Sequence, residues 1–281
     1  MKKILVVGGD ERAVHLASLL ESAGYEVGTI GLETGDEKTA EIDQADLLLF
    51  PYPFAMKNDC VPTYTGLTLH PSDVLDHVKS DAIILSGQGI DSYVLAQNES
   101  GKHITLCYYA GSDAFLQMNA DISAEASVYE AMQRTKKTIM NMTVLVIGYG
   151  LFGRATARRL KALGAADVWV AARREQPRIQ AQNDGMRAIA IADMPSIAER
   201  IAIILNTVPA HVMERSFLNA LSKEACILEL ASAPYGFAKA DAESLDIHPL
   251  ILPALPAKYA PHTAAQALMN VATELIAEAS K

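Results

Sequence analysis

Gly148-Tyr149-Gly150-Leu151-Phe152-Gly153 has the spacing G-x-G-x-x-G, between an apolar run, TVLVI, and a helical pattern, RATARRLKALG. Glycines at this spacing suit a bound dinucleotide. Gly148 permits a tight turn, Gly150 lets a pyrophosphate approach the backbone, and Gly153 lets helix and strand pack closely. The helix N-terminus attracts the anion. A bare strand–helix turn without a ligand is the competing reading, and the strand–turn–helix context weighs against it.

The end of the following strand selects between dinucleotides. An NAD site places Asp or Glu about 20 residues on, to hold the ribose hydroxyls. This chain has Ala171-Ala172-Arg173-Arg174 there, and the first acid is Glu175. Without the carboxylate a 2′-phosphate is not repelled, and two guanidinium groups can hold it by charge-assisted hydrogen bonds. The expectation is NADP rather than NAD, with solvated surface arginines as the alternative. Asn206-Thr207-Val208-Pro209 follows the strand IAIIL, and Ala231 lies in ELAS at the end of the next strand. Strand ends of this kind line a nicotinamide pocket.

The first half of the chain offers groups for a small anion. GGDER, Gly8 to Arg12, resembles a nucleotide turn, but Ala13 stands at the third glycine position and two acids would repel a phosphate. Arg12 instead suits a substrate carboxylate, with a surface salt bridge as the equal alternative. Ser86 and Gln88 in SGQG supply hydroxyl and amide donors after a strand. LPALPAKYAPHTAAQ, stiffened by three prolines, carries Lys258 and His262 as cationic or proton-transfer groups, with a plain surface position as the equal alternative for His262.

The elements that position these residues alternate between short apolar runs and helical patterns, which predicts parallel sheets. KILVVGG, YEVGTIG, ADLLLFPYPF, DAIILSGQG and HITLCYY read as the strands of a first sheet, and DERAVHLASLLESAG as a helix. MTVLVIGYG, ADVWVAA, RAIAI, IAIILNTVP, ACILELAS and HPLILPAL read as a second series. NADISAEASVYEAMQRT is helical, with Ser123 as its expected N-cap, and TAAQALMNVATELIAEA is helical from Thr263. The expected division is a substrate-side α/β domain over 1–120 completed by a C-terminal helix at 263–281, a linker helix over 121–140, and a nucleotide domain over 141–262.

The chain has 281 residues and a formal net charge of −9, which argues against a nucleic-acid or membrane-surface binder. No apolar run approaches the ~20 residues of a membrane helix. The start, MKKILVVGGDERA, reads as a strand rather than a secretory signal, so a cytoplasmic protein is expected. Cys60, Cys107 and Cys226 are isolated, and the seven histidines form no H-x-x-x-H pair, so no metal site is expected.

Taken in order, GGDER, SGQG, SAEA (from Ser123), VIGYGLFG, AARR, LNTVP, LELASAPYG and LPALPAKYAPHTAAQ resemble the dipicolinate synthase A-subunit family of spore-forming bacteria. The resemblance spans almost the whole chain. Departures from the family pattern are Tyr235-Gly236 where Gly-Gly is usual, Ala257 and Ala126 where glycine is usual, and His262 where lysine is frequent.

The resemblance implies a flavodoxin-like N-terminal domain and a Rossmann NAD(P)-binding domain with a cleft between them, as in 2-hydroxyacid and alanine dehydrogenases. It implies oxidation of a cyclic (hydroxy-)tetrahydrodipicolinate or its dehydrated form to dipicolinate, with hydride passing to NADP⁺. It implies a flavoprotein-like partner, the B-subunit of the synthase, and a mother-cell setting during sporulation. A homo-oligomer is also expected. The job needs donors for two carboxylates, for which Arg12, Ser86, Gln88, Ser232 and Lys258 are candidates. It also needs a proton path, for which Glu125, Lys258 and His262 are candidates. Alternatives are an NADP-dependent 2-hydroxyacid or imino-acid dehydrogenase, and a non-catalytic NADP-sensing module.

Overall fold

The computed structural model describes residues 3–33, 39–52, 54 and 58–278. Pro53 of the third expected strand–loop stretch and residues 279–281 of the final helix lie outside them. The chain divides into two compact units, 1–119 with 260–281, and 120–259.

The first unit contains β1 (Lys3–Val7), α1 (Glu11–Ser22), β2 (Glu26–Ile30), β3 (Leu47–Leu49), α2 (Pro71–Leu75), β4 (Ile83–Ser86), α3 (Asp91–Glu99) and β5 (Thr105–Tyr108). Its sheet is parallel, in the order β2-β1-β3-β4-β5, the flavodoxin-like arrangement. A parallel sheet is covered on both faces, so its strands read as continuous apolar runs rather than alternating ones. Ile4, Val6, Leu47, Leu49 and Leu85 face one side, and Leu5, Val7, Leu48 and Ile84 the other, where Val74, Leu75 and Val94 of α2 and α3 cover them. On the first side lie Ala13, Leu16, Ala17 and Leu20, the apolar stripe of α1 at helical spacing.

The long helix α4 (Asp113–Thr135) passes from the first unit into the second. There follow β6 (Thr143–Ile147), α5 (Leu151–Ala162), β7 (Asp167–Ala171), α6 (Glu175–Asn183), β8 (Arg187–Ile189), β9 (Ile203–Asn206), α7 (Arg215–Asn219), β10 (Cys226–Glu229), α8 (Lys239–Ser244), β11 (Leu250–Ile251) and α9 (Leu255–Tyr259). The parallel order is β11-β10-β9-β6-β7-β8, so the strand order reverses between β6 and β9. In such sheets ligands bind outside the carboxyl ends of the strands at the reversal. Val144, Val146, Val170 and Leu205 pack with Ala157 and Leu160 of α5, and Leu145, Ile147 and Ile204 pack with Phe217 and Leu218 of α7.

The last helix, α10 (Pro261–Glu278), returns to the first unit. Ala265, Met269, Ala272 and Ile276 lie in the cluster formed by Leu16 and Leu20 of α1. Small alanines at the contact let two helices approach closely while the leucines fill the grooves.

Two expected helix starts are corrected. Ser123 does not cap a helix; it is buried inside α4, and its carbonyl accepts the Ser127 hydroxyl at 2.7 Å. The cap is Ser112, whose hydroxyl accepts Phe115 N–H at 3.4 Å, so the expected linker over 121–140 begins earlier and ends at Thr135. Thr263 likewise lies inside α10. Pro261 opens that helix, at the position where its missing N–H costs nothing, and Ala264 N–H bonds Ala260 O at 2.9 Å.

Candidate functional site

The glycine turn joins β6 to α5 at the strand reversal. Gly148 has φ +94°, a conformation side-chain-bearing residues rarely adopt, and its N–H donates to Ala171 O at 2.8 Å. A Cβ on Gly148 would lie 2.5 Å from Thr207 Oγ1 and 2.8 Å from Val208 Cγ2, so the turn and the loop after β9 are in contact. Thr207 donates to Ile147 O through both its N–H, at 2.9 Å, and its hydroxyl, at 2.8 Å. A Cβ on Gly153 would stand 2.3 Å from Gly148 O, whereas one on Gly150 would meet nothing within 4 Å. Gly153 is therefore a packing glycine, and Gly150 borders open space where an anion can reach the backbone. Gly150 is the N-cap of α5 and offers no side chain to the first-turn N–H groups. Leu151 is exposed and Phe152 half-buried.

Tyr149 is buried, and its hydroxyl donates to Asp184 Oδ2 at 2.7 Å. Arg154 Nε donates to the same oxygen at 2.8 Å, and Arg158 reaches Oδ1 at 3.3 Å. Hydrogen bonds from Arg154 and Tyr149, with Arg158 alongside, hold the Asp184 carboxyl down at about 2, partial burial acting the other way. Burial and Asp184 together raise the Tyr149 phenol. Nothing local in the sequence signals this partner; Asp184 simply ends α6.

Arg173 and Arg174 follow β7, and both are exposed. Among the described residues neither pairs with a carboxylate. Arg174 is the N-cap of α6, in extended conformation, and makes no side-chain cap bond. Sequence reasoning missed Arg178, one turn into α6, whose Nη1 donates to Ala172 O at 2.9 Å and Arg173 O at 2.8 Å. It fixes the loop that presents the two arginines.

The strand ends β9 and β10 share a buried polar network. Asn206 is fully buried; its Nδ2 donates to Glu229 Oε1 at 2.8 Å and to Val208 O at 3.0 Å, and its Oδ1 accepts Val208 N–H at 3.1 Å. Glu229, also fully buried, accepts Ala231 N–H at 3.2 Å and Gly236 N–H at 2.9 Å. Burial pushes the Glu229 carboxyl up, against the pull of the Gly236, Asn206 and Ala231 donors. The side chain of Asn206 is thus turned inward to Glu229; its loop neighbours Thr207 and Val208 are half-buried and Pro209 is exposed. Ala231 is half-buried and Ser232 exposed on the loop that Glu229 holds. Glu229 escaped the sequence reading because an acid at the end of a buried strand looks like any other strand-end acid.

The proton-transfer candidates have separate partners. Glu125 is exposed and bonds Arg159 Nη2 at 3.2 Å, beside Asp121. Arg159 sits in the last turn of α5, eight residues beyond Leu151, so roughly 12 Å of helix separates it from the glycine turn. Lys258 Nζ donates to Glu130 Oε1 at 3.2 Å. Glu130 is buried and also accepts Tyr259 OH, and Arg134 Nε at 3.1 Å. Lys258 is more than half exposed, with its ammonium paired to that buried carboxylate. His262 is exposed in the first turn of α10, its ring edge-on to His15 at 5.4 Å.

On the first unit, Asp10 caps α1 and grips Arg12: Arg12 Nε meets Oδ1 at 2.8 Å and Nη2 meets Oδ2 at 2.7 Å. Arg12 Nη2 also donates to Tyr52 O at 3.2 Å. Burial lowers the Arg12 proton affinity, and the bonds and charge of Asp10 more than reverse that, so the net shift is upward. Ser86 ends β4, fully buried, with no partner for its hydroxyl among the described residues. Gly87 then packs on the Tyr52 ring, and Gln88 is exposed. Arg12, Tyr52 and Gly87 therefore share one end of the sheet. Among the described residues no group of three metal-ligating side chains assembles, and no helix is long and apolar enough to cross a membrane.

Residues 3–107 match the family model described as the dipicolinate synthase A-subunit N-terminal domain, and residues 112–235 match the D-isomer specific 2-hydroxyacid dehydrogenase NAD binding domain. The dipicolinate synthase A-subunit of Bacillus subtilis (strain 168) is 29% identical over 289 residues, covering 98% of this chain and 96% of that one. Over nearly its whole length the chain is similar to dipicolinate synthase A-subunits. Crystal structures of two such subunits agree with the fold. That of Bacillus halodurans has a TM-score of 0.85 at 25% identity, covering 98% of each chain. That of Bacillus subtilis has a TM-score of 0.84 at 26% identity, covering 99% of this chain and 97% of the other. The glycine turn lies within the stretch that matches the dehydrogenase NAD binding domain.

Proposed function

We propose that the chain is an NADP-dependent oxidoreductase that forms dipicolinate from a cyclic, partly reduced dicarboxylate, together with a flavoprotein-like B-subunit. The observation that carries the cofactor choice is the end of β7. Arg173 and Arg174 stand where an NAD site has its acid, they have no carboxylate partner among the described residues, and the α6 N-terminus beside them lacks a side-chain cap. All three features favour a 2′-phosphate. The open backbone at Gly150 would take the pyrophosphate, and Thr207, Val208 and Ala231 would border the nicotinamide ribose.

When bound, NADP⁺ accepts a hydride. Oxidation of dihydrodipicolinate removes one hydride and one proton from the ring and leaves the aromatic pyridine, NADPH and H⁺. Aromatisation supplies driving force, so the chain's own residues need only orient the ring and take up the proton. Arg12, Ser86 and Gln88 would hold a carboxylate from the first unit, and Ser232 would offer a further hydroxyl. Of the proton-transfer candidates His262 is retained, because it is exposed and has no carboxylate partner among the described residues. Imidazole is the side chain best suited to accept a proton near neutral pH. Glu125 and Lys258 are not retained, for the reasons their ion pairs give.

The test supplies the purified chain with freshly made condensing-enzyme product, NADP⁺ and a B-subunit of the family. Pyridine-dicarboxylate absorbance rising with NADPH fluorescence is the expected result. Absence of both, where a working synthase yields product, rejects the reading.

A further inference from the structure

We propose that Asp10 sets the anion selectivity of Arg12, so that the arginine takes a carboxylate oxygen and rejects phosphate. The proposal rests on the reading of Arg12 as a donor to a substrate carboxylate, and it adds a second residue that tunes it. A guanidinium has five N–H donors, and it grips carboxylate or phosphate best through two parallel bonds. Asp10 fills one such fork, formed by Nε and Nη2. The other fork, formed by Nη1 and Nη2, is incomplete because Nη2 also donates to Tyr52 O. Among the described residues the two Nη1 hydrogens alone lack an acceptor.

Charge acts in the same direction. Asp10 cancels the formal charge of Arg12 at contact distance, so a phosphate dianion gains little net attraction, whereas one carboxylate oxygen needs only the free Nη1 donors. The Arg12 side chain is 15% exposed. It borders a recess with Gly9, Pro51, Tyr52, Tyr109 and Phe115, and among the residues lining that recess Arg12 is the one cation and Asp10 the one anion, so a phosphate finds no second cation there. The buried Ser86 hydroxyl, without a partner among the described residues, ends the strand whose next residue, Gly87, touches Tyr52.

Asp10 also caps α1 through Arg12 N–H at 3.0 Å, so the variants must preserve that cap. Asn and Ser are both good N-caps, and both abolish the charged grip on Arg12. Calorimetric titration of the full chain, saturated with NADP⁺, uses dipicolinate and inorganic phosphate as probes. The parent is expected to prefer dipicolinate by at least about a hundredfold, and Asp10→Asn and Asp10→Ser to narrow this to about tenfold or less, with phosphate gaining. The phosphate uptake must vanish when Arg12→Ala is added, which separates it from phosphate held by the second unit. If Arg12→Ala leaves dipicolinate affinity unchanged, the carboxylate reading of Arg12 falls, and this proposal with it. If Arg12→Ala weakens dipicolinate while both Asp10 variants keep the parent's selectivity and melt like it, the selectivity proposal alone is overturned.

Discussion

Tyr149, the second residue of the glycine turn, donates its hydroxyl to Asp184, the residue that ends α6, at 2.7 Å. The turn whose backbone would face a pyrophosphate is thus anchored from behind, and Arg154 and Arg158 of α5 share the anchor. A loop that must be ordered before it binds gains affinity when the ordering is already done. Tyr149→Phe keeps the ring and deletes the bond. It is expected to weaken NADP⁺ binding about threefold to tenfold, with turnover at saturating cofactor nearly unchanged. Quenching of Trp169 fluorescence on titration reads the affinity, and an unchanged value would remove Tyr149 from the cofactor account.

Asp184 also makes a prediction about acid. Its carboxyl is held at about 2, below the ordinary value of 3.8 that the unfolded chain has. The native state therefore favours the ionised form. The stabilisation is fully present above about pH 4 and is lost as pH falls through about 2. Asp184→Asn should be less stable than the parent at neutral pH, and the gap should close through that acid window. Urea unfolding at a series of pH values measures it; a constant gap would show that the ion pairs do not act through the carboxyl charge.

The glycines at positions 150 and 153 should fail differently. Gly153→Ala forces a methyl to within 2.3 Å of Gly148 O, a backbone atom with little room to move, so both stability and cofactor binding should drop. Overpacking of this kind typically costs about 1–3 kcal/mol. Gly150→Ala meets open space, so its melting temperature should match the parent while NADP⁺ affinity falls. Thermal melts run beside cofactor titrations distinguish the two.

The double variant Arg173→Ala/Arg174→Ala should lose most of the preference for NADP⁺ over NAD⁺, by about tenfold to a hundredfold, while NAD⁺ affinity stays within about twofold. Equal affinities in the parent would dispose of the phosphate-clamp argument before any variant is made.

Lys258 separates structure from chemistry. Its partner Glu130 keeps Arg134 and Tyr259 when the lysine is removed, and Lys258 is itself more than half exposed. Lys258→Ala should cost about 1 kcal/mol of stability and leave turnover within about twofold. A fall in turnover of about a hundredfold without loss of stability would return Lys258 to the catalytic candidates.

Particular residues show where sequence sufficed. The apolar runs ILVV, LLL, TVLVI and IIL sit in buried parallel strands because consecutive apolar residues need cover on two faces. The glycine turn was legible because its constraints are local: a positive φ at Gly148, and contacts between Gly153 and a residue only five positions away. Helix starts were less legible. Ser123 has the residue type of a cap, but Phe115 and Ala120 are packed in the core upstream of it, and the helix runs back to Ser112.

The sequence by itself determined the two parallel α/β series, the dinucleotide turn and the arginine pair after β7, since each depends on neighbours along the chain. Only the tertiary structure decided which side chains are free to act. Lys258 is matched to a carboxylate 128 positions away, Tyr149 to one 35 positions away, and Arg12 to a carbonyl 40 positions away. An ionisable group's chemistry is set by its burial and by the charges beside it, and those neighbours exist only once the sheets have folded.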